Sequence, residues 1–232
     1  MTIQEAMQSR HAVRSYLDRE IEPEVLSELT AEIAAINAGS GLNIQLVTNE
    51  PRAFSGFMAR YGKFSGVKNY LALIGRQGPD LQEKVGYFGQ RLVLKARQLG
   101  LNSCWVAVSY SRGRCGAVLS PGEELVCVIP LGYGTTQGVP HKSRPMEALC
   151  HVETDGGDMP EWFRRGMEAV MLAPTAMNQQ KFLFTLTKDG EVRAQATGKG
   201  QGYAQIDLGI AEYHFEMGAG EAFRGFSGIN PR

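Results

Sequence analysis

The sequence predicts an α+β fold in which one chain contains two related lobes. Three observations support this prediction: both halves contain helical and strand patterns, both halves show the same order of features, and the stretch 203–219 is apolar on nearly every face. A helix that is apolar all round belongs in the centre of a protein. We therefore expect the C-terminal helix to lie inside the molecule.

The spacing of apolar residues places helices and strands along the whole chain. Thr2 and Glu5 have the spacing of a capping box, which begins the first helix. Pro23 is a good first residue for the second helix, and Gly100 ends the long amphipathic one. The predicted helices are 3–10, 23–37, 81–99, 160–172 and 203–219; the predicted strands are 42–49, 66–75, 101–110, 123–134 and a region over 181–197 with a Lys-Asp-Gly turn.

The two halves repeat an order of three short features. The first interval is 20 residues in one half and 18 in the other, while the second is 43 and 24, so the first half would carry an insertion. Identities are few, and chance is the alternative. If the repeat is real, the two long helices pack near a pseudo-two-fold axis and one chain mimics a symmetric dimer. In the first half the features are Pro23-Glu24, Asn43-Ile44-Gln45 and Gly86-Tyr87. In the second half they are Pro160-Glu161, Asn178-Gln179-Gln180 and Gly202-Tyr203, and each interval runs from one feature to the next in the same half.

Composition disfavours two classes of function. The 232 residues include 24 Lys and Arg and 24 Asp and Glu, so the formal net charge is zero, whereas a general nucleic-acid binder is normally basic. No stretch approaches the roughly 20 apolar residues of a membrane span, and the first ten residues show no signal peptide. The four cysteines lack metal-binding spacing, and reduced thiols are typical of the cytoplasm. We expect a cytoplasmic protein that binds neither nucleic acid, membrane nor metal.

Two short basic stretches could hold an anion. Arg10, His11 and Arg14 lie within five residues, and helical spacing would put the two arginines on one face. Lys142 and Arg144 are two apart, so on an extended loop they point the same way, with a serine hydroxyl between them. The guanidinium fork suits phosphate oxygens. Each stretch alone is more typical of a solvated surface, and no single feature fixes the two in contact.

Two further stretches could face a flat heterocycle. In "APTAMNQQ", Pro174 and Thr175 keep the backbone stiff, and Asn178 offers two donors and an acceptor. The alternative is a plain helix-to-strand turn. In "GLNSCWVAV", the main chain of 105–107 could lie beside a planar ligand; the alternative is a buried strand. His214 lies on the apolar helix and is interpreted as a core histidine outside the site.

Together the four stretches resemble the nitroreductase family of FMN flavoproteins. "RHAVR" is similar to the family's phosphate-binding motif Arg-Arg/His-Ser-x-Arg/Lys, and "GLNSCWVAV" to its Gly-Leu-Gly-Thr/Ser-Cys-Trp segment. "VIPLGYG…HKSRP" resembles its strand with Gly-Tyr and Lys-x-Arg. "APTAMNQQKFLF" resembles its Pro-Ser-Ser-x-Asn-x-Gln-Pro-Trp loop, which faces the flavin from the partner subunit.

The chain departs from the family pattern at several positions. Ala12 replaces the usual serine, Thr175-Ala176 replaces Ser-Ser, and Lys181-Phe182 replaces Pro-Trp. The Asn-x-Gln loop near the C-terminus also follows the Gly-Leu-Gly-Thr-like segment, whereas in ordinary members it precedes that segment. This order fits a second half that acts as a trimmed second subunit fused in cis.

The resemblance implies a nitroreductase-like fold with central mixed or antiparallel sheets flanked by helices, in two pseudo-symmetric lobes that mimic the family dimer. A lobe over 1–155 would carry the FMN phosphate site, and a shorter lobe over 156–232 would supply the flavin-facing loop in cis. One FMN per chain is implied, because the second half has no basic phosphate motif of its own. The implied FMN-binding residues are Arg10, His11, Arg14, Trp105, Val106, Ala107, Lys142, Arg144, Pro174, Thr175 and Asn178.

The resemblance also implies the reaction. NADH or NADPH would reduce the flavin at N5, and a nitroaromatic, a quinone or a similar small-molecule acceptor would then reoxidise it in a ping-pong cycle. No catalytic residue is assigned, because the flavin carries the chemistry. The expected state is a monomeric pseudo-dimer or a weak homodimer. Two other classes stay open: a non-enzymatic FMN-binding protein for storage or sensing, and a phosphate-ligand or protein-interaction module without flavin.

Overall fold

The computed structural model describes residues 1–153, 158–198 and 203–226, and within them the fold is α+β, as predicted. None of the helices in these ranges is long and apolar enough to cross a membrane. The helices are α1 (Ile3–Ser9), α2 (Pro23–Ser40), α3 (Phe57–Tyr61), α4 (Leu81–Gln98), α5 (Glu161–Val170) and α6 (Ala204–Ala219). The strands are β1 (Gln45–Val47), β2 (Tyr70–Arg76), β3 (Asn102–Ser103), β4 (Glu123–Gly132), β5 (Cys150–Val152), β6 (Phe182–Leu186) and β7 (Val192–Ala196).

The chain forms two compact units, and neither is one continuous stretch. The first unit contains Met1, residues 9–81 and residues 92–140. The second contains residues 2–8, 82–91 and the described part of 141–232. The boundary predicted at 155/156 lies outside the described residues. The stretch "TDGGD" (154–158), which the sequence predicts to be a linker, also lies outside them except for its last residue. The division into lobes 1–155 and 156–232 therefore stays a prediction.

The first unit is built on an antiparallel sheet in the order β1-β2-β4-β3. β2 is almost wholly apolar and is buried from Tyr70 to Gly75, so it forms the centre of the sheet together with β4. Tyr70 pairs with Pro130 and Arg76 with Glu123, and a bulge lies between Leu73 and Ile74. The core on one side of this sheet includes Val13, Tyr16, Phe54, Phe64, Tyr70, Ile74, Val106, Tyr110 and Val128.

The second unit contains a mixed sheet in the order β5-β6-β7, with β5 parallel and β7 antiparallel to β6. Helices α5 and α6 pack together, and Phe215 of α6 stacks on Phe184 of β6 with ring centroids 5.3 Å apart. Gly166 of α5 leaves room for that ring, since a Cβ there would lie 2.6 Å from it. The second unit therefore has its own aromatic core.

Helix α6 crosses the first half of α4 through two glycines. A Cβ on Gly86 would lie 2.1 Å from the carbonyl oxygen of Ile206, and one on Gly209 would lie 2.0 Å from the carbonyl oxygen of Glu83. Such backbone contact is possible only without side chains at both positions. The prediction that α6 is a central helix is confirmed, because Ile206 to Phe215 are buried without interruption.

The structure corrects several predicted elements. The strand predicted at 42–49 covers only Gln45–Val47. The strand predicted at 101–110 ends at Ser103. Beyond it, the chain meets β4 through the Cys104 amide, which donates to Pro130, and through a bridge between Val106 and Val128. Helix α3 and strand β5 were not predicted: one is five residues long and the other three, too short to show a period. The predicted repeat treats Gly86-Tyr87 as the opening of a long helix, but Gly86 is the sixth residue of α4.

Candidate functional site

The first basic stretch follows α1 and is fixed to the edge of the first unit's sheet. Ala12 forms a parallel bridge with Ser103, and the amide of Val13 donates to the Ser103 carbonyl at 3.0 Å. The Tyr16 hydroxyl donates to the carbonyls of Val13 (2.7 Å) and Pro130 (3.1 Å). The helix ends at Ser9, so the helical spacing expected for Arg10 and Arg14 is wrong. Pairing with strands sets their positions instead.

Arg10 is the most unusual charged residue of this stretch. Its side chain is 6% exposed, and its Nε has no hydrogen-bond partner among the described residues. Burial, assisted by the neighbouring Arg97, lowers the pKa of Arg10 to about 10, so it stays charged at neutral pH. A buried cation without an acidic partner is costly unless a ligand supplies the opposite charge.

Arg97, from the last turn of α4, adds a second guanidinium to this place. It donates to the Ser9 hydroxyl (3.1 Å) and to Oε1 of Gln137 (2.9 Å), which also accepts from Asn102 at 3.2 Å. The ring of His11 meets the Gln137 carbonyl at 3.2 Å. Gln137 therefore ties Arg97, Asn102 and His11 into one polar cluster.

Arg14 completes the cationic group on the exposed side. Its guanidinium lies over the Phe64 ring, 5.9 Å from the centroid. Within the described residues, neither Arg10, Arg14 nor Arg97 forms an ion pair with a carboxylate. Three guanidinium groups without acids, one of them buried with an unused donor, fit a phosphate or another compact anion.

The predicted ring-contact segment lies beside β4 in the same unit. Val106 exchanges two hydrogen bonds of 3.0 Å with Val128, and it is buried. Trp105 and Ala107 on either side are half-buried. The chain therefore alternates here between packing on the sheet and partial exposure, so two of the three predicted residues are partly exposed.

The second unit brings together the other two predicted stretches. Asn178 and Gln180 donate from their side-chain amides to the Lys142 carbonyl, at 2.8 and 2.9 Å. Arg144 donates to Gln180 twice, from its backbone amide at 2.8 Å and from its guanidinium at 3.2 Å. Lys142, Arg144 and Asn178 are exposed residues. The side chains of Asn178, Arg144 and Gln180 nevertheless hold the two loops together.

The loop "APTAMNQQ" stores backbone strain. Met177, Asn178 and Gln180 all have positive φ, at 50°, 56° and 48°. Such conformations are uncommon for residues with side chains and cluster at binding sites. Met177 is also 85% exposed at the tip. A strained, tightly bonded loop with an exposed tip is typical of a preorganised contact surface.

Asp207, in the first turn of α6, holds this loop. Its two carboxylate oxygens accept from the amide of Ala176 at 2.9 and 3.1 Å, and it is buried. Burial raises the pKa of Asp207 to about 6, and the bond from Ala176 opposes that rise. The loop also closes on itself, because the Thr175 hydroxyl accepts from the Gln180 amide at 3.1 Å.

His214 is a core residue, as interpreted from sequence. It is fully buried; its Nδ1 lies 2.9 Å from the Ala169 carbonyl and its Nε2 2.8 Å from the Gln90 amide nitrogen. The first contact needs a proton on Nδ1 and the second a lone pair on Nε2, so this pattern suits the neutral ring.

The predicted site residues thus fall into two groups. Arg10, His11, Arg14, Trp105, Val106 and Ala107 lie in the first unit, and Lys142, Arg144, Pro174, Thr175 and Asn178 lie in the second. The sequence missed Arg97, Gln137, Asp207 and Gln180. Arg97 gave no signal, because a basic residue in the last turn of a helix is readily explained by the helix dipole. Asp207 could have been found, because a single aspartate inside an apolar stretch is unusual.

The sequence model of one protein family, described as putative TM nitroreductase, matches residues 2–219 of the chain. None of the curated proteins matches. A putative nitroreductase from Thermotoga maritima is similar in structure, with 24% identity, 94% of this chain and 83% of that chain covered, and a TM-score of 0.65.

Other solved structures match a smaller part of the chain. A putative nitroreductase from Desulfovibrio desulfuricans, in complex with FMN, shares 18% identity over 64% of this chain and 95% of its own, with a TM-score of 0.51. A nitroreductase family protein from Streptococcus pneumoniae shares 15% over 64% and 98%, also with a TM-score of 0.51. About two thirds of this chain therefore spans nearly all of either structure.

Proposed function

Because the chain belongs to the putative TM nitroreductase family, we propose that it is an FMN-dependent oxidoreductase that takes hydride from NADH or NADPH and passes it to a small acceptor. Nitroaromatics, quinones and similar molecules are the proposed acceptors. The similar structure from Desulfovibrio desulfuricans is a complex with FMN, which supports the choice of cofactor.

One observation carries the proposal at the level of residues. The buried guanidinium of Arg10 keeps an unused donor and has no carboxylate partner in the described part of the chain. The FMN phosphate would supply the missing acceptor and charge. His11 and Arg14 would bind the same end of the cofactor from the same stretch, and Ala12 provides no hydroxyl there.

The chain's own part in the reaction is placement. Bound FMN would supply hydride acceptance and donation at N5, with the nicotinamide leaving before the acceptor binds. The main chain at Trp105, Val106 and Ala107 would contact the planar ring, and the pairing of Val106 with Val128 would keep that contact rigid. A positioned cation such as Arg10 favours charge that develops on a nearby ligand.

The second group of residues is assigned to FMN from the sequence resemblance. Lys142 and Arg144 are proposed to contact the phosphate and ribityl end, and Pro174, Thr175 and Asn178 the ring. The strained conformation at Asn178 and the hydrogen bonds of its side chain to Lys142 and Gln180 support a preorganised role. One FMN per chain follows from this assignment, in a monomeric pseudo-dimer or weak homodimer.

The test uses the visible spectrum of the purified full-length protein, with and without added FMN, and anaerobic addition of NADH or NADPH. Bound FMN that either nucleotide bleaches supports the proposal. Bound FMN that neither nucleotide bleaches would overturn it in favour of a storage or sensing protein. A protein that stays colourless after FMN addition would remove flavin chemistry altogether.

Variants then test the phosphate residues. Arg10→Met keeps the side-chain volume and removes the charge, so FMN affinity should fall about tenfold or more, since charge-assisted hydrogen bonds contribute about 1.5–3 kcal/mol. Arg14→Ala should cost less because Arg14 is exposed. Arg76→Gln, at the exposed end of β2, is the matched control. Unchanged affinity in Arg10→Met would take Arg10 out of the site.

A further inference from the structure

Helix α3 presents its large side chains to solvent and its small one to the core. Phe57 and Tyr61 are 77% and 76% exposed and Met58 is 44% exposed, whereas Ala59 is buried. Val108 is 59% exposed on the stretch that packs beside α3. A surface helix normally turns its large apolar side chains toward the core and its polar side chains toward solvent. Phe57 and Tyr61 are four residues apart and share one helix face. An exposed apolar face marks a binding surface.

This face adjoins the first unit's candidate site on two sides. On one side, the Ser65 amide donates to the Arg14 carbonyl at 3.0 Å, and the Ser65 hydroxyl donates to that of Ser15 at 2.8 Å. On the other side, Gly62 lies against Ser109, so closely that a Cβ on the glycine would be 2.5 Å from the serine Cβ. The stretch 57–65 is thus hydrogen-bonded to Arg14 and packs against Ser109, which follows Ala107 by two residues.

The surroundings of α3 are positively charged. The stretches 51–64 and 105–119 contain five basic residues and no acidic one, in a chain whose formal net charge is zero. The two stretches are held together where the Ser111 amide donates to the Ala53 carbonyl at 2.7 Å. Glu50, just before the first stretch, forms an ion pair with Arg52 and accepts a hydrogen bond from Tyr70, so one of the five positive charges is neutralised and four remain. The five are Arg52, Arg60, Lys63, Arg112 and Arg114.

We propose that α3 and Val108 form the binding surface for a planar aromatic molecule with a negatively charged substituent, as the acceptor of the reaction proposed above. Phe57 and Tyr61 supply ring surface for stacking. Arg60, within the helix, and Lys63, just after it, attract the charged substituent. That the bound molecule is the acceptor rests on the proposed function. That it binds here rests on the exposed apolar face and the positive charge around it.

The first test measures binding alone. Equilibrium dialysis of the purified protein, without nucleotide, compares 4-nitrobenzoate with 4-nitrobenzamide, which has the same ring and size but no charge. We expect the benzoate to bind about fivefold more tightly at low salt, and about 0.5 M NaCl to remove the preference by screening. Equal affinities at low salt would overturn the proposal.

Variants locate the surface. Arg60→Gln combined with Lys63→Asn should weaken the benzoate about three- to tenfold and leave the amide unchanged; asparagine tolerates the positive φ of Lys63. Tyr61→Ala should weaken both ligands. Arg76→Gln and Val118→Ala, equally exposed elsewhere in the first unit, are the controls. Unchanged binding in the first two variants would overturn the proposal.

The binding test separates this inference from the proposed function. No hydride transfer is needed for dialysis, so a charge preference at α3 can be found in a protein that fails the bleaching test. Conversely, a protein whose flavin is bleached by NADH but whose affinities for the two ligands are equal keeps its function and loses this surface.

Discussion

Replacing Gly86 with alanine should destabilise the second unit by forcing two helices apart. The new Cβ would lie 2.1 Å from the Ile206 carbonyl oxygen, 2.9 Å from its carbon and 3.0 Å from the Ile210 nitrogen. All three atoms are backbone, so no side chain can rotate away. Restoring ordinary contact needs a separation of roughly 1 Å along the crossing, and close-packed interiors resist such a shift.

The magnitude follows from two opposed effects. Overpacking of this kind costs about 1–3 kcal/mol and more where backbone must move, whereas alanine is about 1 kcal/mol better than glycine inside a helix. We expect the packing cost to dominate, with a net loss of about 2 kcal/mol. Gly56→Ala is the control, because no atom lies within 4 Å of its new Cβ and its φ is negative.

Urea denaturation followed by circular dichroism measures both variants, with the slope checked for two-state behaviour. Gly209→Ala should behave like Gly86→Ala, since its Cβ would lie 2.0 Å from the Glu83 carbonyl oxygen. The double variant should lose less than the sum, because one helix separation relieves both clashes. A loss below about 0.5 kcal/mol for Gly86→Ala would refute the close crossing.

Three other predictions concern buried polar groups. Burial, reinforced by the charge of Glu83, raises the pKa of Glu212 from its ordinary 4.5 to about 9. Between pH 4.5 and about 9 the folded protein therefore keeps a proton that the unfolded chain releases. The free energy of unfolding falls as the pH rises through this range. Glu212→Gln should flatten this fall, by up to about 1.4 kcal/mol per pH unit, in urea midpoints measured against pH. Asp207→Ala removes the acceptor of the Ala176 amide, so amide hydrogen exchange at residues 175–180 should become about tenfold faster or more. Thr187→Ala is the control. Unchanged exchange in Asp207→Ala would show that Asp207 does not support the loop. Tyr70→Phe leaves Glu50 without its hydroxyl donor and the Gly116 amide without its acceptor, so it should cost about 1–3 kcal/mol in thermal and urea unfolding, whereas Tyr61→Phe should cost almost nothing; equal costs would contradict the buried network.

The fold class and the long elements could be predicted because their periods extend over many residues. Helix α2 begins at Pro23, as the proline signal indicates, and α4 begins at Leu81, as the spacing of its apolar residues indicates. The short elements could not be predicted, because α3 and β5 depend on tertiary contacts rather than on local preference. In α3 the pattern is even inverted, since Ala59 faces the core.

The candidate site was predictable in residue type and not in geometry. The motif "RHAVR" identified the arginines, yet pairing with Ser103 rather than helical spacing sets where they lie, and Arg97 joins from a distant helix. The same limit applies to Gln180, whose neighbours Asn178 and Thr175 carry the recognisable motif while its own side chain holds the loop to Lys142 and Arg144. Support residues of this kind are selected by contacts that no linear pattern encodes.

The crossing of α4 and α6 bears on the predicted duplication. Gly86 contacts Ile206 and Ile210, which are three before and one after Gly209; Gly209 contacts Glu83 and Tyr87, which stand in the same relation to Gly86. Each glycine is also the sixth residue of its helix. A two-fold relation produces this reciprocity. The order of features in the sequence instead pairs Gly86 with Gly202, which lies two helical turns before Gly209. Gly202 lies outside the described residues. The duplication stays a prediction, but its register at the two central helices should be Gly86 with Gly209, because the shared backbone contact requires glycine at both positions.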